Sequence, residues 1–166
     1  MKGGSAAESS DNNTLQSSTS NRTTSAACAT SITTQSLPSL LLTNANHITN
    51  KLDELHLLVV GSSPVIDIVA ITESWLTKDI PNSLCELPNF TIFRRDRREG
   101  LGGGVMCYVR DGLNSRIIEP LLPGNDDFEV LLVAVRPRVL PRPLSLLLVM
   151  IVYCPSWCDA ARRKAL

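Results

Sequence analysis

The sequence predicts an α+β fold, a β-α-β unit followed by antiparallel strands packed as a sandwich. Three observations carry that expectation. Ile66, Ile68, Val69, Ala70 and Ile71 are apolar at both parities and mostly β-branched, the pattern of a strand covered on both faces. Before them, a short leucine run at 40–42 precedes apolar residues spaced by three and four, the helical period. After them, short alternating segments broken by Gly, Pro, Asn and Asp follow one another, as strands do in α+β domains.

Taken in order, residues 1–37 are dominated by Ser, Thr, Asn and Ala, with almost no large apolar side chain before Ile32. Such a stretch cannot bury enough surface to offset its backbone entropy and is expected to be a disordered tail. Order is expected from Pro38. Leu40, Leu41 and Leu42 form a strand running into Thr43, Asn44, Ala45 and Asn46. Thr49 or Asn50 then caps a helix with apolar positions Leu52, Leu55, Leu58 and Val59, ended by Gly61, Ser62, Ser63 and Pro64. The strand through Ile71 closes the β-α-β unit, so the two strands should be parallel, joined by a right-handed crossover. Phe90, Ile92 and Arg94 alternate as a strand. Residues 94–104 (RRDRREGLGGG) read as a hairpin turn, and Val105, Cys107 and Val109 as its return. Ile117 and Ile118 suggest a short strand, residues 128–135 another, and residues 144–153 a second buried-type strand ended by Pro155. Residues 159–166 look like the first turn of a helix.

Formal charges balance to +0, so net charge points to no polyanionic partner. The first ten residues hold no apolar core of a signal peptide. The longest apolar run, 144–152, falls far short of the ~20 residues that a membrane-spanning helix needs. A soluble, intracellular protein is expected, with no membrane contact and no obligate protein partner. The five cysteines follow no metal-ligand spacing and read as reduced thiols, mostly packing.

Glu73 ends the apolar run abruptly. Read alone, it is the first solvated residue after a strand. Read with the topology, Asn44 and Glu73 lie at the same C-terminal edge of neighbouring parallel strands, where open sheets place their ligand crevices. Arg94, Arg95, Arg97 and Arg98 are a candidate phosphate-contacting patch, because guanidinium pairs well with phosphate oxygens. Asp96 and Glu99 equally allow a hairpin with local ion pairs. Gly102, Gly103 and Gly104 fit a tight turn or a close approach better than a phosphate cradle, since no helix start follows them. Trp75 and Trp157 read as core or rim packing, or as surfaces on which bases stack.

Five blocks in order carry a family resemblance: TNANHITNKLDEL (43–55), DIVAITESWL (67–76), FRRDRREGLGGGVMCYVRDGL (93–113), FEVLLVAV (128–135) and IVYCP (151–155). Over residues 38–158 the chain resembles the endonuclease/exonuclease/phosphatase superfamily, of deoxyribonuclease-I-like fold. Within it, the chain is similar to the endonuclease domain of non-LTR retrotransposons. The resemblance implies a four-layer α/β sandwich, two mixed sheets with outer helices, and cleavage of phosphodiesters with Mg²⁺ or Mn²⁺. It implies that Glu73 binds the metal and that Asn44 helps to hold metal and scissile phosphate. Tyr153, in the I-Y-x-P motif, would lie near that phosphate. DNA is the implied substrate, which would make the protein nuclear.

The family's later motifs, Gly-Asp-x-Asn, a further Asp and a final Ser-Asp-His, do not occur in these 166 residues. Asn46 stands where many relatives carry Arg, and His47 where they carry a small polar residue. The expectation is therefore a truncated sandwich, its second half missing, and a partial endonuclease domain inactive as this chain. A non-catalytic relic, and a phosphoesterase of the same superfamily acting on a small phosphoester, are the alternatives.

Overall fold

The computed structural model describes residues 37–97, 102–119 and 128–155. These belong to one compact unit, Thr34–Leu166. The Ser/Thr-rich tail up to residue 36, Arg98, Trp157 and the helical turn expected over 159–166 lie outside the described residues.

The elements are β1 (Leu40–Asn44), a 3₁₀ turn (Ile48–Asn50), α1 (Leu52–Gly61), β2 (Ile68–Thr72), a second 3₁₀ turn (Asn82–Leu84), β3 (Phe90–Arg95), β4 (Val105–Arg110), β5 (Asn114–Ile118), β6 (Glu129–Arg136) and β7 (Leu147–Tyr153). They form two sheets, ordered β1-β2-β4-β3 and β5-β6-β7. The first sheet is mixed, with β1 and β2 parallel and the other pairs antiparallel. The second was expected to be mixed too, but its described strands are antiparallel throughout.

The expectation is met over 68–71, while Ile66 lies ahead of β2 and is only partly buried. Val69 and Ile71 point into a core shared with Ile48, Leu55 and Val59 on the helix side. Ile68 and Ala70 point into a second core shared with Leu131, Val133, Val135 and Ile151 of the other sheet. Strand β4 divides in the same way, Met106 and Tyr108 to one side and Val105, Cys107 and Val109 to the other. Successive strand side chains face opposite ways, so two apolar parities give a sheet enclosed between two layers. The described residues thus make three layers: helix, four-stranded sheet, three-stranded sheet.

Helix α1 does not start as its sequence suggested. Thr49 and Asn50 lie in the 3₁₀ turn, and Lys51 occupies the N-cap with no side-chain hydrogen bond. The cause is Ile48, which is buried and whose N–H bonds the Ser74 carbonyl at 3.0 Å. Held there, the chain completes a tight turn before it can open into an α-helix. Asp53 and Glu54 in the first turn then favour the helix N-terminus electrostatically. Leu55 and Val59 form the buried stripe, while Leu58, expected on it, is exposed. At the C-terminal end Ser62 Oγ donates to the Val59 carbonyl at 2.9 Å. Strand β7 starts at Leu147, not at residue 144, because Leu144 closes a turn onto the Pro141 carbonyl at 2.8 Å.

Buried cysteines are packing groups, as expected of reduced thiols. Burial pushes the Cys107 thiol up to about 12, and burial likewise raises Cys85. Among the described residues no helix is long and apolar enough to cross a membrane.

Ile71→Ala should cost about 2–5 kcal/mol, because the side chain is enclosed on every side and cannot relax into solvent. Leu57→Ala, on the open face of α1, should change stability by less than about 0.5 kcal/mol. Urea denaturation of both variants measures the difference.

Candidate functional site

The parallel pairing of β1 and β2 runs from Leu40 opposite Ile68 to Asn44 opposite Thr72. It does not stop there. Ala45 N–H bonds Thr72 O at 3.0 Å, His47 N–H bonds Glu73 O at 3.1 Å, and Ile48 N–H bonds Ser74 O at 3.0 Å. The loops after the two strands are therefore zipped together, and Asn44 and Glu73 share one sheet edge. Asn44 is exposed and lines, with Thr72 and Val152, a cleft of about 520 Å³ between β1 and β7. Its Oδ1 accepts the Asn46 N–H at 3.1 Å, an Asx turn that steadies the loop.

Both loops are strained. Asn46, His47, Glu73 and Trp75 have φ of 43°, 86°, 53° and 57°. Non-glycine residues in the left-handed region cost of order 1–3 kcal/mol each and persist only where the surroundings over-determine them. Here the surroundings include the triple glycine. Gly104 O accepts the Ser74 N–H at 3.1 Å and Gly103 O the Trp75 N–H at 2.8 Å. All three glycines have positive φ. A Cβ on Gly104 would overlap Ser74 Oγ, and one on Gly103 would lie 2.6 Å from Arg97 and from Glu129 Oε1. Close approach, together with a backbone that only glycine adopts freely, accounts for the motif.

A residue that sequence reasoning passed over completes the array. Glu129, 9% exposed at the start of β6, accepts the Gly104 N–H on Oε2 and Arg97 Nε on Oε1, each at 2.5 Å. The Arg97 guanidinium lies 5.8 Å from the centroid of the Tyr153 ring, within cation–π range. Tyr153 in turn donates its phenol proton to Glu73 Oε1 at 2.8 Å. Glu129 was visible as the acid set inside the apolar run FEVLLVAV. An acid at the mouth of a buried strand needs a paired partner, and the arginines of the hairpin were the available ones.

The structure thus brings together Glu73, Tyr153 and Arg97, with Asn44 on the shared edge. It does not bring Arg94 or Arg95 to them. Arg94 donates to Asp96, to the Ile80 and Thr77 carbonyls and to Asn82 Oδ1, at distances of 2.6–3.1 Å. The Asp96 hydrogen bond raises its pKa above the usual guanidinium value. It is a tie for the loop ahead of β3, so of the two readings of the hairpin the ion-pair one holds for Arg94. Arg95 donates to the Val130 carbonyl at 3.2 Å. Arg98 lies outside the described residues.

The donors at the shared edge are oxygens: a carboxylate, an amide and a phenol. Among the described residues no three His, Cys, Asp or Glu side chains group together. Burial raises the Tyr153 phenol above its ordinary value, and the hydrogen bond to Glu73 adds to the shift. Tyr108, whose hydroxyl bonds the Cys85 carbonyl at 2.5 Å, is raised further, again by burial first. Compared with protein-family models and with curated proteins, the chain gives no match.

Gly104→Ala should cost at least about 2 kcal/mol, from left-handed strain plus overlap with Ser74. Gly112→Ala carries the strain alone, since nothing lies near its Cβ position, and should cost less; parallel urea titrations separate the two terms. The chain's two tyrosines are both held protonated by the fold. Their folded pKa values exceed the unfolded value of about 10, so their contribution is intact below about pH 10 and is lost as pH rises beyond it. Absorbance titration at alkaline pH should show delayed phenolate formation in buffer and an ordinary midpoint in urea.

Proposed function

We propose that the chain carries part of a divalent-metal-dependent phosphodiesterase domain of the deoxyribonuclease-I-like superfamily, in its retrotransposon-endonuclease branch, whose reaction is the nicking of DNA. The observation that carries this reading is the Tyr153–Glu73 hydrogen bond across the two sheets, 2.8 Å long, with Asn44 on the same edge. A second support is the wider array around that bond. The five sequence blocks that prompted the resemblance are far apart in the chain, yet each sends a residue to this array: Asn44, Glu73, Gly104 with Arg97, Glu129 and Tyr153.

Glu73 and the Asn44 amide oxygen would hold Mg²⁺ or Mn²⁺, with waters completing the shell, as hard cations with few protein ligands prefer. The bound cation would supply positive charge to a phosphoryl oxygen. The chain's own residues do the rest of the positioning. Tyr153 fixes the rotamer of the Glu73 carboxylate, Arg97 supports the Tyr153 ring, and Glu129 holds Arg97. None of these is a general base. Among the described residues the two histidines are in the wrong places for one, His47 packed against Trp75 and His56 on α1. That favours the non-catalytic reading for this polypeptide, whatever the ancestral domain did.

The fourth layer of the sandwich is part of the proposal. Leu147, Val149 and Ile151 of β7 face the core between the sheets, which leaves Leu148 and Met150 on the outer face, 59% and 56% exposed. An exposed apolar stripe on a sheet face suits a covering layer.

Mn²⁺ binding followed by electron paramagnetic resonance should be lost in Glu73→Gln and weakened about 10–100-fold in Tyr153→Phe, the usual cost of removing a group that orients a metal ligand. Equal binding by Glu73→Gln would contradict the assignment of the site. Supercoiled plasmid incubated with the chain and Mg²⁺ or Mn²⁺ should stay intact. Nicking that disappears in Glu73→Ala would show that the chain needs no further base.

A further inference from the structure

We infer that Trp75, with His47 set against it, is a stacking platform for an unpaired nucleobase next to the Glu73–Asn44 edge. The inference rests on the phosphodiesterase reading and names the part of the substrate that this edge would grip beyond the phosphate.

The first observation is which residues of the loop after β2 are buried. Ser74 and Leu76 are 1% and 2% exposed, yet the larger Trp75 between them is 38% exposed. Burying an indole is among the largest apolar gains open to a chain, and this loop leaves more than a third of the residue open. The second is how the outward position is held. Trp75 sits at φ 57°, a genuine outlier for a bulky side chain. Its N–H is fixed to the Gly103 carbonyl at 2.8 Å. Gly102 lies against the indole, so close that a Cβ there would be 3.3 Å from the ring. The ring is therefore clamped in place and does not swing free. The third is His47, also left-handed at φ 86°, whose imidazole meets the indole edge-to-face with centroids 5.6 Å apart and planes at 69°.

The two rings come from the two loops that carry Asn44 and Glu73. Two residues of chain span at most about 7 Å, so Trp75 is within one nucleotide's reach of Glu73. An indole partly open to solvent and held rigid on the loop that carries Glu73 suits a base, because stacking is tolerant of base identity and a clamped aromatic loses little entropy on binding. Charge makes the same point from the other side. Arg94 and Arg97 are both engaged within the protein, so neither is poised to grip a backbone phosphate. A ligand held partly by its base fits these surroundings better than one held by phosphate alone. A duplex offers no free base face; the substrate class is DNA that is single-stranded or opened at the cleavage step.

The test uses the full chain carrying Trp157→Phe, so that emission comes from Trp75 alone. The probes are single-stranded decathymidylate, an abasic deoxyribose-phosphate strand of the same length, and inorganic phosphate. Decathymidylate should quench the emission saturably and bind at least about tenfold tighter than the abasic strand. Trp75→Ala, followed by anisotropy of a labelled strand, should erase that preference, and Trp75→Phe should keep most of it. Equal affinity for the base-bearing and abasic strands overturns the platform, and because that comparison uses the Trp75-bearing protein it stands even if Trp75→Ala fails to fold. Mn²⁺ binding in the same samples separates the two claims. Base preference with metal binding that survives Glu73→Gln keeps the platform and removes the phosphodiesterase reading. Metal binding that requires Glu73, without base preference, does the reverse.

Discussion

The hydrogen bond from Tyr153 to Glu73 joins the last described strand of one sheet to the loop after the central strand of the other, 80 residues earlier in sequence. Most of the site depends on that junction. For the phenol to reach the carboxylate, the two sheets must face each other with β7 behind β2, and Ile68, Ala70 and Ile151 in one core make them do so. For the carboxylate to be there, the chain must turn at Glu73 through a left-handed residue. The zipper of backbone hydrogen bonds from Ala45, His47 and Ile48 holds that turn against the loop of Asn44.

The glycines and the acid at the start of β6 supply the other half of the constraint. Two backbone carbonyls of the triple glycine hold Ser74 and Trp75, and Glu129 fastens the same segment to the second sheet through the Gly104 N–H. The Arg97–Glu129 pair is mostly buried, with side chains 17% and 11% exposed. Removing Arg97 would leave the buried Glu129 carboxylate with the Gly104 N–H alone to answer its charge, which is destabilising. This pair is better understood as fixing the position of Tyr153 than as a source of net stability.

Much of this was legible in the residues. A strand apolar at both parities must be central, and β2 is. A helix between two such strands makes them parallel neighbours, and the pairing of Asn44 with Thr72 follows. The triple glycine announced close approach. What could not be read from spacing was partnership at long range. Four arginines within five residues look alike in sequence, but the structure sends Arg94 to the loop before β3 and Arg97 to Glu129. Glu129 was passed over because Asp126, Asp127 and Glu129 look alike in sequence, and none of them has a sequence-local basic partner to mark it. The helix start was misplaced because Ile48, fixed by the distant Ser74, overrides the capping preference of Thr49 and Asn50.

The proposal's central claim is that Asn44 and Glu73 would hold one cation, with Tyr153 orienting the Glu73 carboxylate. The most direct measurement is paramagnetic broadening by Mn²⁺ in two-dimensional amide spectra of the isotopically labelled chain. The account predicts that the Asn44 side-chain amide and the backbone amides of residues 44–47 and 73–75 broaden first, and that Glu73→Gln abolishes the effect. Broadening centred on other carboxylates, such as Glu54 or Asp111, with the Asn44 amide left sharp, would contradict it.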